Sequence, residues 1–274
     1  MLQSRVCSHV AGRLRCSQAW NTASTRRIMN PASMGPMKVI MNKAREEQKM
    51  LGPEEKHFFC GGDRSVAMAA EMLRQGKVIA VPTDTVYGLA CLADNSRAVQ
   101  RLYEIKRRDG GKPLAICLGN VNEVGAWGVL DDIPTRMLED LLPGPYTICL
   151  RRTPALNRAL NPGHDTVGVR VPNDKFIRSV AQLAGPLALT SANVSSEPSS
   201  LHPDEFRALW PELDGVFYSS TKKRKDDHRV GSTVVDVSTP GCFTVVRRGV
   251  GASFIVGILM KHGLKANARE NARD

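Results

Sequence analysis

Lys77-Val78-Ile79-Ala80-Val81-Pro82-Thr83-Asp84-Thr85-Val86-Tyr87-Gly88 is the stretch on which the fold reading turns. Val78 to Val81 form a short, β-branched apolar run with no polar alternation, the pattern of a strand buried on both faces. A polar turn, Thr83-Asp84-Thr85, follows at once, so two hydroxyls and a carboxylate stand at the strand's carboxyl end, where open sheets bind ligands. Upstream, Asp63 can cap a helix carrying Val66, Ala70 and Leu73 on one face and closed by Gly76. Downstream, Gly88 to Ala93 reads as a second strand. Asn95 or Ser96 then caps a helix with Ala98, Leu102 and Ile105 inward, which ends in Lys106-Arg107-Arg108 with Gly110 and Gly111 beyond.

The same style continues. Strands are expected at 113–118, 146–150, 167–171, 186–189, 216–218, 232–237 and 243–246, and helices at 134–142, 174–183, 203–209 and 253–262. Strands alternate with helices at first and crowd toward the C-terminus. That order fits one α/β (α+β) domain on a mixed sheet. The expected boundaries are a basic leader over 1–45, a linker over 46–62, the domain over 63–262 and a tail over 263–274. No repeat of fixed period is visible.

Of the formal charge of +11, +8 comes from residues 1–45, which hold eight Lys or Arg and no acid; the rest of the chain carries only +3. The charge therefore describes the leader more than a nucleic-acid-binding surface. An acid-free, Arg- and Ser-rich leader is what mitochondrial import selects, and an unaddressed basic tail is the alternative. Met29, Met34, Met37 and Met41 offer downstream starts, so a leaderless cytosolic form is also expected, with mitochondrion and cytoplasm as destinations. No apolar run has the ~18 residues a membrane-spanning helix needs. The seven cysteines are scattered, without a Cys-x-x-Cys pair, and the six histidines are dispersed. Neither a disulfide frame nor a zinc site is expected.

Six places could carry chemistry. At Thr83-Asp84-Thr85 the choice is between an amino-acid or ribose grip and a turn held by its own hydrogen bonds. At Lys106-Arg107-Arg108-Asp109-Gly110-Gly111-Lys112, four cations at a helix end either cap the macrodipole or clamp phosphate. Leu189-Thr190-Ser191-Ala192-Asn193 ends a strand in small polar groups that could cradle a phosphate. Arg170, in mid-strand between Val169 and Val171, needs an anion if buried: a protein carboxylate or a ligand. Arg247-Arg248 end another strand with the same two readings. Lys222-Lys223-Arg224-Lys225 is a solvated loop or an RNA-contacting patch. The P-loop, the Rossmann glycine pattern and the Gly-x-Ser-x-Gly elbow are all absent. Five polar strand ends together suggest an anion pocket at one edge of a sheet.

In chain order, the segments Pro82 to Leu89, Lys106-x-Arg108 with Lys112-Pro113-Leu114, Leu142 to Thr147, Gly168 to Pro172, Leu189 to Asn193, Gly231 to Asp236 and Arg247 to Gly249 resemble the YrdC family of threonylcarbamoyl-adenylate synthases, in its short form. The resemblance implies a twisted mixed β-sheet around a basic cavity. It implies a nucleotidyltransferase that joins L-threonine, bicarbonate and ATP, with Mg²⁺ on the phosphates, into threonylcarbamoyladenylate for the modification of tRNA next to the anticodon. By the same carry-over, Lys106 and Arg108 would bind phosphates and the developing charge, Lys112 would line their loop, and Thr147, Ser191, Asn193 and Arg247 would contact the nucleotide. Thr83, Arg170 and Ser232 would form the threonine or carbamate side. The implied partner is a downstream tRNA threonylcarbamoyl transferase, of KEOPS type or its mitochondrial counterpart; tRNA contact through the 222–229 loop is one of the two readings of that loop and is not implied by the resemblance. Three positions depart from the family pattern: Asp109 stands where Pro is common, Cys117 where long relatives often carry His, and Arg248 in place of Pro in Arg-Pro-Gly. A non-catalytic module binding double-stranded RNA or tRNA is the rival reading. A carbamoyl-handling domain like that of hydrogenase maturation is a third, disfavoured because no acylphosphatase or zinc-finger pattern is present.

Overall fold

The computed structural model describes residues 39–43, 56–107, 113–194, 197–219 and 229–267. Residues 1–38 of the leader, Arg108 to Lys112 and residues 220–228 lie outside them, so the expectations placed there rest on sequence alone.

Among the described residues, eleven strands form one mixed sheet: β1 (His57–Phe59), β2 (Ile79–Val81), β3 (Gly88–Leu92), β4 (Ala115–Cys117), β5 (Tyr146–Arg151), β6 (Thr166–Arg170), β7 (Leu187–Ser191), β8 (Gly215–Tyr218), β9 (Thr233–Asp236), β10 (Cys242–Arg247) and β11 (Lys265–Ala266). Their order across the sheet is β1-β8-β2-β3-β7-β4-β6-β5-β9-β10-β11. The helices are α1 (Gly62–Arg74), α2 (Ser96–Ile105), α3 (Val124–Trp127), α4 (Met137–Leu141), α5 (Lys175–Ala184) and α6 (Ala252–Lys261), with a kinked 3₁₀ segment at Pro203–Glu212.

Side chains alternate between the sheet's faces with period two, and the two hydrophobic clusters sort accordingly. Val78, Ala80, Leu89, Ile116, Ala188 and Val216 face one cluster, covered by α2, α4, α6 and the 3₁₀ segment. Ile79, Val81, Ala90, Cys117, Leu187, Leu189 and Phe217 face the other, covered by α1 and α5, which pack on each other. The unalternating run at β2 is thus apolar because both of its faces are covered.

Local chemistry explains the helix ends. Asn95 caps α2 by accepting from the Ala98 N–H, and Asp174 caps α5 by accepting from Ile177. The expected Asp63 cap is not observed. Gly61 is the N-cap of α1, its N–H donates to Ser65 Oγ, and Asp63 lies inside the first turn. Two expected boundaries also move. β1, placed in the linker by sequence, pairs in parallel with β8, and β11, placed in the tail, pairs with β10. Both are short edge strands whose pairing partner, rather than their own composition, makes them strands.

Candidate functional site

A cavity of about 210 Å³ lies against the sheet face that α1 and α5 leave uncovered. Its floor is one row of paired residues. Leu189 pairs with Ala115, Ala115 with Gly168, and Gly168 with Cys149, and all four border the cavity. Ala, Gly and Cys are small, and this makes the hollow. A Cβ added at Gly168 would stand 2.9 Å from Thr147 Cγ2. Two residues along β7, β6 and β5, on the same face, come the polar groups Ser191, Arg170 and Thr147, and Ser232 stands just before β9, two residues ahead of the Val234 that pairs with Thr147. The expected pocket at one sheet edge is therefore corrected. The site spans a face, and period-two alternation places its polar groups beside its small-residue floor.

One wall is the turn after β2. Thr83 Oγ1 donates to the Val86 carbonyl at 2.6 Å and accepts from the Thr85 N–H at 3.1 Å. Arg170 Nη2 reaches Thr85 Oγ1 at 2.8 Å and Thr83 Oγ1 at 3.4 Å, and it forms a buried ion pair with Asp84. Asp84 also accepts from the Asn173 N–H at 2.9 Å. Of the two readings of this turn, the Asp84 carboxylate fits the one in which it is committed to the protein. Of the two partners weighed for Arg170, the structure supplies the carboxylate.

On β5, next to β6, and just before β9, Thr147 Oγ1 and Ser232 Oγ lie 2.8 Å apart, both buried. Arg247, exposed at the end of β10, donates to the Ser232 carbonyl at 2.8 Å and to its hydroxyl at 3.0 Å. The chain packs tightly here, since a Cβ on Gly249 would meet the Ser232 carbonyl at 2.5 Å. The third wall is β7. Lys106, 2% exposed at the end of α2, donates to the Ser191 carbonyl at 2.8 Å, to the Asn193 carbonyl, and to Asn193 Oδ1 at 3.3 Å. The Asn193 amide donates to the carbonyls of Val194 and Glu197.

Of the residues named from sequence, Thr83, Thr147, Arg170, Ser191, Ser232 and Arg247 border the cavity. Lys106 and Asn193 are joined to each other behind Ser191, one layer back. Arg108 and Lys112 lie outside the described residues. Cys117 is fully buried in the α1–α5 core and does not border the cavity. Burial pushes its thiol up to about 12, and that of Cys149 likewise, so neither is a thiolate near neutral pH. The described residues contain no cluster of three or more His, Cys, Asp or Glu that could hold a metal, and none of their helices is long and apolar enough to cross a membrane. Nothing in the linear pattern marked Ala115, Cys149 or Ser199 as lining, because each depends on which strands are neighbours.

Comparisons with known proteins identify the family. A family model, Sua5_yciO_yrdC (Telomere recombination), matches residues 71–249. A human protein named threonylcarbamoyl-AMP synthase is 45% identical over 208 residues, covering 74% of each chain. A bovine protein of the same name is 44% identical over 207 residues, covering 74% of this chain and 75% of its own. Among solved structures, Pyrococcus abyssi Sua5 complexed with L-threonine aligns with a TM-score of 0.66 at 25% identity over 80% of this chain; the alignment spans 64% of that longer protein.

Proposed function

This chain belongs to the Sua5/YciO/YrdC family, and from that premise we infer that it is a threonylcarbamoyl-AMP synthase. It joins L-threonine, bicarbonate and ATP into L-threonylcarbamoyladenylate. The threonine amine takes up bicarbonate with loss of water, a carbamate oxygen attacks the α-phosphorus of ATP, and pyrophosphate leaves. The observation that carries the reading is the convergence of hydroxyls and guanidiniums from separate strands on one small-residue floor.

All reactants but the amine are anions, so the protein's task is to hold like charges together and stabilise the charge that develops on phosphorus. Positioning and fixed donors can do this without a protein nucleophile. Thr83 and Arg170 serve the threonine side. Arg170 is pre-set by Asp84 and Thr85 before any substrate arrives. Ser232 stands between the two substrates, with Thr147 and Arg247 on the nucleotide side. Ser191 forms the remaining nucleotide wall, and behind it the Lys106 ammonium, held by Asn193, is a fixed positive charge that favours phosphate there. Arg108 and Lys112 are assigned to the phosphates on their motif alone. Mg²⁺ enters as part of the ATP complex, since the described residues offer no acidic cage for a resident ion.

Further proposals follow from the reaction. The product is a mixed anhydride, so an enzyme that transfers its acyl group, here to tRNA, must consume it. The leader directs one form to the mitochondrion, and a start at Met37 leaves another in the cytoplasm; imaging tagged versions of both would test this. The rival RNA-binding reading loses support at Arg229. This last cation of the 222–229 loop pairs with Glu205 through both guanidinium ends, at 2.5 and 2.9 Å.

Pyrophosphate release with threonine, bicarbonate and ATP, each omitted in turn, tests the assignment. Release is expected to need all three. Release that ignores threonine, or salt-sensitive RNA binding without ATP turnover, would overturn it.

A further inference from the structure

Asn161 lies outside every motif discussed above, yet it is fully buried. Its backbone has a φ of 54°, in the left-handed region where Asn is one of the few tolerated residues. Its carboxamide acts as a substitute peptide group. Oδ1 accepts the Leu114 N–H at 2.6 Å, and Nδ2 donates to the Leu114 carbonyl at 2.8 Å. Tyr103 on α2 donates to the same Oδ1 at 3.1 Å. Both main-chain groups of Leu114 are thus held by one side chain rather than by a neighbouring strand.

Leu114 borders the cavity, between Pro113 and the floor residue Ala115. Along β4 the antiparallel register with β7 carries the Leu114 end toward Ser191, whereas Arg170 pairs with Cys117 at the other end of the strand. In the sequence Leu114 lies two residues after Lys112. The loop that carries Asn161 is itself fixed without regular structure. Arg152 donates to the carbonyls of Leu156, Asn157, Leu160, Asn161 and His164. The Asn157 amide donates to the Ala93 carbonyl at 2.9 Å.

We propose that Asn161 is a positioning residue for the nucleotide half of the site: its carboxamide sets the main chain at Leu114 and with it the wall facing Ser191. The proposal rests on the synthase reading above. A residue that only supports the fold would change stability and leave the kinetic constants of the folded enzyme alone. A positioning residue changes them for one substrate.

Asn161→Gly separates the two roles, because glycine adopts the positive φ without strain and removes only the carboxamide. The measurement is pyrophosphate release by the purified full chain, with ATP and threonine varied separately and rates referred to the folded fraction. The expected result is a tenfold or larger fall in kcat/KM for ATP, with the KM for threonine within about twofold of the parent. Unchanged constants, or parallel losses for both substrates, would overturn the proposal. If Asn161→Gly does not fold, Tyr103→Phe, which deletes one hydrogen bond to the same carboxamide, must shift the ATP constants in the same selective way, and no shift overturns it. A parent enzyme that releases no pyrophosphate on adding threonine would instead refute the synthase reading.

Discussion

Two guanidiniums border the cavity, Arg170 on β6 and Arg247 on β10, and they are built differently. Arg170 is 6% exposed and locked to Asp84, Thr83 and Thr85. Its Nε is buried with no partner among the described residues. Arg247 is exposed and bonded to the carbonyl and hydroxyl of Ser232. A buried charge must be matched within the protein, because desolvation is otherwise too costly. A rim charge remains hydrated, contributes little to stability and can turn toward a ligand. The inner wall is therefore part of the fold as well as of the site, whereas the rim belongs to the site alone.

The sharpest break of that contrast is Asp84→Ala. It strands Arg170 in the interior and should cost about 3–5 kcal/mol of stability, read as a lower denaturant midpoint; a loss under about 1 kcal/mol would mean that the inner wall is not structural. Next is Lys106→Met, which keeps the buried aliphatic stem but removes the ammonium from the carbonyls of Ser191 and Asn193. Turnover should fall by about 10²–10³, with a stability loss of about 1–3 kcal/mol from the carbonyls left unsatisfied. Unchanged pyrophosphate release would remove Lys106 from the site. Smallest in stability is Arg247→Ala. Unfolding should stay within about 0.5 kcal/mol of the parent, while catalytic efficiency falls by roughly tenfold, about 1.4 kcal/mol of transition-state binding. A large stability loss there would erase the difference between wall and rim.

A titration sharpens the same comparison from the side of the interior. Burial pushes the thiols of Cys91, Cys117 and Cys149 from 9.0 up to about 12. Between those values the native chain holds protons that the unfolded chain has released. Stability should therefore be complete below pH 9 and fall as pH rises toward 12. Replacing Cys117 by Ser or Ala should soften that alkaline decline, which denaturant titrations at pH 8 and pH 10 would measure. An identical decline in the variant would mean that other groups cause it.

Much of the sheet was legible locally. The unbroken run at 78–81, the cap at Asn95 or Ser96, and the glycine after α1 each act over a few residues, and sequence displays them directly. β1 and β11 were not legible, because a two- or three-residue edge strand exists only where β8 or β10 offers it a partner. Within the site, the hydroxyls and arginines stood out in linear motifs, but their partners did not. Asp84 and Arg170 are 86 residues apart in the chain, and Asn161 and Leu114 are 47 apart.

By itself the sequence determined the chemistry on offer: an alternating α/β chain with hydroxyls and cations at strand ends, in the order of one family's motifs. Only the tertiary structure decided which cations are spent on the protein and which stand at a rim, and that Leu189, Ala115, Gly168 and Cys149 form a common floor. The physical reason is that period-two alternation assigns a residue to a face, whereas strand order and register, which depend on long-range pairing, decide which residues on that face become neighbours.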